Sequence, residues 1–212
     1  RLIAHRINAL KRQLANLKKQ RALRRKPRES GGIKTFALVG YTNVGKSTLF
    51  NCLTKAGAYA QDQLFATLDT TARRLYINPE CSIILTDTVG FVSDLPHKLI
   101  SAFSATLEET AQADVLLHVV DASAPGKEQQ IEDVENVLRE IKADRIPCIR
   151  VYNKTDLLPS EDRNTGIQRD GRGRIAAVYL SAEEKIGINA LRDAVAEYCA
   201  AMPTTDDETE MP

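Results

Sequence analysis

A chain of 212 residues, 43% of them hydrophobic, can bury the core of one α/β domain, and it contains no run of about eighteen apolar residues that would span a membrane. The net charge of +1 hides a division: eleven of the 29 bases lie in residues 1–28, which hold no acid, and all 28 acids follow. Four scattered cysteines (Cys52, Cys81, Cys148, Cys199) without a Cys-x-x-Cys pair, and three separated histidines, give no disulfide framework or zinc spacing and suit a reduced, cytoplasmic protein.

The chain opens at Arg1 without a signal peptide, so residues 1–30 are expected to be part of a longer N-terminal region. Ile3, Ile7, Leu10, Leu14 and Leu17 repeat as a heptad seam and predict an amphipathic helix studded with bases. Such a helix can dock on a neighbouring domain, contact RNA phosphates with its positive face, or do both. Pro27 and Ser30-Gly31-Gly32 end it, and a domain is expected over residues 31–200.

In that domain a buried strand over residues 35–39 runs into Gly40-Tyr41-Thr42-Asn43-Val44-Gly45-Lys46-Ser47, followed by Thr48 and a helical stretch. Gly-x-x-x-x-Gly-Lys-Ser at a strand-to-helix junction cradles phosphates: backbone N–H groups at a helix N-terminus point at anionic oxygens, Lys46 reaches the β- and γ-phosphates, and Ser47 ligates Mg²⁺. Residues 73–77 and 82–86, split by Asn78-Pro79-Glu80, read as an antiparallel pair. The second strand leads into Asp87-Thr88-Val89-Gly90, where Asp87 can hold Mg²⁺ through water and the Gly90 N–H can meet the γ-phosphate.

A helix is predicted over residues 100–111, a strand over 115–120 with His118 as a core or strand-face residue rather than a catalyst, and a helix over 127–142. The strand entered at Pro147 ends at Asn153-Lys154-Thr155-Asp156. A carboxylate at Asp156 accepts from guanine N1–H and the 2-amine, whereas adenine offers it an acceptor. This selects guanine and disfavours an ATP-dependent kinase. Lys154 can lie along the purine face, and Asn153 can tie this loop to the phosphate loop. Residues 160–174 lack periodicity and are expected to form a mobile insertion. A strand over 176–180 leads to Ser181-Ala182, whose N–H groups are expected at the guanine O6. A helix over 188–200 and a disordered acidic tail over 201–212 close the chain. The expected fold is therefore α/β: six strands, mostly parallel with one antiparallel edge strand, and helices on both faces.

Phosphate loop, Asp-x-x-Gly, Asn-Lys-x-Asp and Ser-Ala in this order resemble the P-loop GTPases related to translation factors. GYTNVGKS at 40–47, LFATLDTT at 64–71 and DTVGF at 87–91 resemble the HflX family of ribosome-associated GTPases, whose helical linker is similar to residues 1–30. The resemblance implies a monomeric switch binding GTP or GDP with Mg²⁺ and partnering the large ribosomal subunit and its RNA, in ribosome splitting or rescue under stress. It implies Thr67 as the switch threonine on Mg²⁺. Thr70 stands where the family usually has Pro, so Thr70 and Thr71 compete for that role. Phe91 replaces the Gln that orients water in many relatives, so slow intrinsic hydrolysis is expected. Lys46, Thr67, Gly90 and Asn43 are then the catalytic candidates. Asn43 either helps hold an activating K⁺ or bonds the switch backbone. The alternative function is a nucleotide-gated interaction module without significant hydrolysis.

Overall fold

The computed structural model describes residues 33–54, 71–88, 90, 107 and 110–202. The expected helical linker over 1–30, most of the helix over 100–111, Thr67, Thr70, Phe91 and the acidic tail from 203 on lie outside them.

β1 (Lys34–Val39) is followed by α1 (Lys46–Thr54), β2 (Thr71–Asn78), β3 (Cys81–Asp87), β4 (Val115–Asp121), α2 (Lys127–Glu140), β5 (Cys148–Asn153), β6 (Gly166–Arg169), β7 (Ile175–Tyr179) and α3 (Ile188–Ala201). The sheet order is β2-β3-β1-β4-β5-β7-β6. The five central strands pair in parallel, and β1 sits between β3 (Leu38 opposite Asp87) and β4 (Val39 opposite His118). Central parallel strands are buried on both faces, which is why β1, β3 and β4 read as nearly unbroken apolar runs. Phe36, Leu38, Ile83, Leu85, Leu117, Val119 and Val151 face a core closed by Leu49, Phe50 and Leu53 of α1 and Leu191, Ala194 and Val195 of α3. Ala37, Val39 and Leu116 face the other way, onto Val134 and Leu138 of α2. The i, i+4 spacing of those two residues is the helix's apolar stripe.

Two expectations are corrected. The sheet has seven strands rather than six, and both edges are antiparallel: β2 against β3, and β6 against β7. The extra strand falls inside residues 160–174, expected to be a mobile insertion. Four residues are too short to display a period of two, and what orders them is tertiary. Ile167 packs on the main core, and Arg169 makes a two-pronged ion pair with Glu197 of α3. The charged turn that follows is held by Asp170, whose Oδ1 accepts from the Arg172 and Arg174 N–H groups. The closing helix also runs one residue past its expected end, through Ala201.

Candidate functional site

β1, β3, β4, β5 and β7 all run the same way, so their C-terminal ends, with the loops that follow, converge on one edge of the sheet, the position where open α/β sheets bind ligands. β1 ends at Val39, and the loop Gly40–Gly45 turns directly into α1. Lys46 is buried, and its Nζ donates to the carbonyls of Gly40 (3.1 Å) and Tyr41 (2.8 Å), folding the ammonium back under its own loop. Burial pushes its pKa down to about 8, and the nearby Asp87 carboxylate pulls in the opposite direction. Thr42 and Val44 are buried at the loop's base, while Asn43 is exposed with φ 61°. That left-handed conformation is one that asparagine tolerates better than most residues.

Asp87 ends β3 next to β1, and the Ser47 hydroxyl donates to its Oδ2 at 2.7 Å. The buried Thr88 hydroxyl donates to the Leu38 carbonyl and pins the following turn to β1. A hydroxyl and a carboxylate at the mouth of the phosphate loop are hard oxygen donors of the kind Mg²⁺ takes when it keeps several waters, so these residues fit that ion. Gly90 lies so close that an added Cβ would stand 2.9 Å from Thr42 Cγ2 and 3.0 Å from Lys46 Nζ. Its backbone is thereby held against the phosphate loop. Thr71, a competitor for the metal, begins β2 with its backbone paired opposite Asp87.

Asn153 is the joint of the site. Its Nδ2 donates to the Val44 carbonyl at 2.9 Å, and its Oδ1 accepts from the Ala182 N–H at 2.9 Å, both in the buried interior. Gly45 leaves room for it: a Cβ there would fall 2.4 Å from Asn153 Nδ2. One amide thus ties the loops after β1, β5 and β7 together. Beyond it, Asp156 Oδ1 is buried without a hydrogen-bond partner, an expensive state for a carboxylate that has nothing to bind. Lys154 adopts φ 63°, and its Nζ pairs with Asp121 Oδ2 at 2.8 Å.

Ser181 and Ala182, whose N–H groups are expected at the guanine O6, follow β7 beside this joint. Ser181 N–H donates to the Ile186 carbonyl and Ala182 N–H to Asn153 Oδ1. Two residues escaped sequence reading. Asp121 and Thr88 act through partners distant in sequence, although an Asp at the end of a buried strand is itself a signal. His118 is buried in β4, and burial with the fields of Arg150 and Lys46 pushes its pKa down to about 3.

Residues 35–154 match the family described as 50S ribosome-binding GTPase. The chain is 48% identical to GTPase HflX of Caldanaerobacter subterraneus over 195 residues, 92% of this chain and 44% of that protein. It is 47% identical to GTPase HflX of Escherichia coli over 197 residues, 93% of this chain and 46% of that protein. The chain therefore spans less than half the length of these curated relatives. Among solved structures, a GTP-binding protein of Sulfolobus solfataricus in complex with GDP is similar at 26% identity and TM-score 0.59, over 90% of this chain and 58% of that one. The mGMPPNP-bound NFeoB of S. thermophilus shares the fold at 20% identity and TM-score 0.58, over 80% of this chain and 62% of that one.

Proposed function

The chain belongs to the 50S ribosome-binding GTPase family and, within it, to the HflX GTPases, and from that premise we propose that it is the nucleotide-operated part of a GTP-hydrolysing switch acting on the large ribosomal subunit. The observation that carries the guanine reading is the buried, unpartnered Asp156 Oδ1 beyond a loop that Asn153 fastens to the phosphate cradle. A guanine edge supplies the donors that this oxygen lacks, whereas adenine offers an acceptor there. Gly40–Thr48 hold the phosphates, and Lys46 exchanges its loop carbonyls for phosphate oxygens. Ser47, and Asp87 through water, would hold Mg²⁺, with Thr67 as the switch threonine and Thr70 and Thr71 as its competitors. When bound, the metal neutralises charge developing on the transferred phosphoryl group. The Gly90 N–H is the contact that senses the γ-phosphate.

Phe91 cannot orient water, so hydrolysis by the chain alone is slow, on the order of 10⁻⁴ to 10⁻² s⁻¹, and the ribosome supplies what is missing. K⁺ held with the help of Asn43 is one source of catalytic charge, and turnover in K⁺ against Na⁺ at equal ionic strength tests it. Ribosome splitting or rescue under stress is the family role we assign to this switch. Phe91 also favours a second reading, an interaction module gated by GTP without significant turnover. GTP hydrolysis followed with and without purified large subunits separates the two: at least a tenfold acceleration is expected for the switch, and none would leave only the module.

A further inference from the structure

Asp121 ends β4 opposite Asn153 of β5, and the Ala122 N–H donates to the Asn153 carbonyl at 2.8 Å, so the two strand ends are joined at the base-reading loop. The two oxygens of Asp121 have divided tasks. Oδ1 accepts from Ser123 N–H (3.0 Å) and Ser123 Oγ (2.7 Å), which fixes the carboxylate's rotation. Oδ2 is left facing Lys154 Nζ at 2.8 Å. Side-chain exposures of 15% for Asp121 and 26% for Lys154 put the pair between a solvated surface contact and a buried one, where screening is reduced. Lys154 also occupies left-handed backbone, rarely taken by a residue with a Cβ, so its stem leaves the chain in a direction that ordinary strand geometry does not provide.

We propose that Asp121, held by Ser123, is a positioning residue for base recognition: it pins the Lys154 ammonium so that the aliphatic stem is already extended as a flat wall for the purine. A free lysine stem would lose rotamer freedom when the base arrives, and anchoring it beforehand removes that cost from binding. This inference rests on the guanine-nucleotide reading above and deepens it.

The decisive experiment measures GDP and inorganic triphosphate binding by the full chain as wild type, D121N, K154M and D121N/K154M, with S123A as a milder variant that keeps the Asp121 charge. D121N should weaken GDP about tenfold, mainly through faster release, and leave inorganic triphosphate, which has no base, unchanged. K154M keeps most of the stem without the charge, so adding D121N to it should change nothing further. S123A should lose GDP affinity about threefold, and it carries the test should D121N fail to fold. Equal losses for GDP and triphosphate, or additive losses in the double variant, would overturn the inference and leave Asp121 as a fold-stabilising ion pair. A wild-type chain holding ADP as tightly as GDP would instead defeat the guanine reading beneath it.

Discussion

A carboxylate oxygen buried without a partner costs about 1–3 kcal/mol of folding free energy unless a ligand donates to it, and Asp156 Oδ1 stands in that position. Replacing Asp156 with Asn turns an acceptor into a donor at the atom that faces the base. D156N should lose guanine nucleotides by about a hundredfold or more and gain xanthine nucleotides, read by competition of GDP and XDP for one fluorescent ligand. Unchanged preference would place base selection elsewhere. Lys46 carries a second consequence. Its folded pKa of about 8 lies below the ordinary 10.5, so between those values the unfolded chain binds the extra proton. The group's contribution therefore makes the unliganded protein more stable as pH rises across that window, and is flat below it. A polyphosphate beside the amine favours the charged form again. Nucleotide binding should then take up a proton above pH 8, and affinity should fall as pH rises. Calorimetry in two buffers of different ionisation heat reads that proton directly, and buffer-independent heats would show that the amine stays charged throughout.

At the scale of elements, the loops after β1, β5 and β7 are one unit because the Asn153 amide serves two of them at once. N153A leaves the Val44 carbonyl and the Ala182 N–H buried without their partner, so a stability loss of about 2–4 kcal/mol is expected together with faster nucleotide release, measured by urea unfolding and stopped-flow. Stability lost with release unchanged would mean that the joint supports the fold alone. β4 carries the acid-sensitive group. The folded pKa of His118, about 3, lies below the ordinary 6.5, so as pH falls through that interval the unfolded chain is protonated first and the fold weakens. H118L should flatten this part of the acid unfolding curve, and an unaltered curve would assign acid lability to other groups.

For the whole molecule, the basic segment over residues 1–28 and the acidic remainder are expected to act on different partners. If the segment meets RNA through its bases, binding of the full chain to large subunits should weaken steeply with salt, with a log–log slope of several units. Guanine nucleotide binding to the isolated chain should respond far less. A flat salt dependence of subunit binding would favour the apolar heptad seam as the contact.

Much of this architecture is legible in the chain because parallel strands and phosphate loops impose local rules. Buried runs such as 36–39 and 115–120 must be apolar, Gly-Lys-Ser must stand where strand turns to helix, and an Asp must end the strand beside it. Four short residues of β6 obey no local rule strong enough to read, and their order comes from Ile167 meeting the core and Arg169 meeting Glu197 of α3. The same holds for the internal use of the Ser181 and Ala182 donors, the double duty of Asn153, and the grip of Asp121 on Lys154. Composition and spacing determine which chemistry the chain carries, since hydrogen-bonding capacity belongs to the residue. Which donor meets which acceptor is decided only when sheet register brings residues as far apart as Val44 and Asn153 within 2.9 Å.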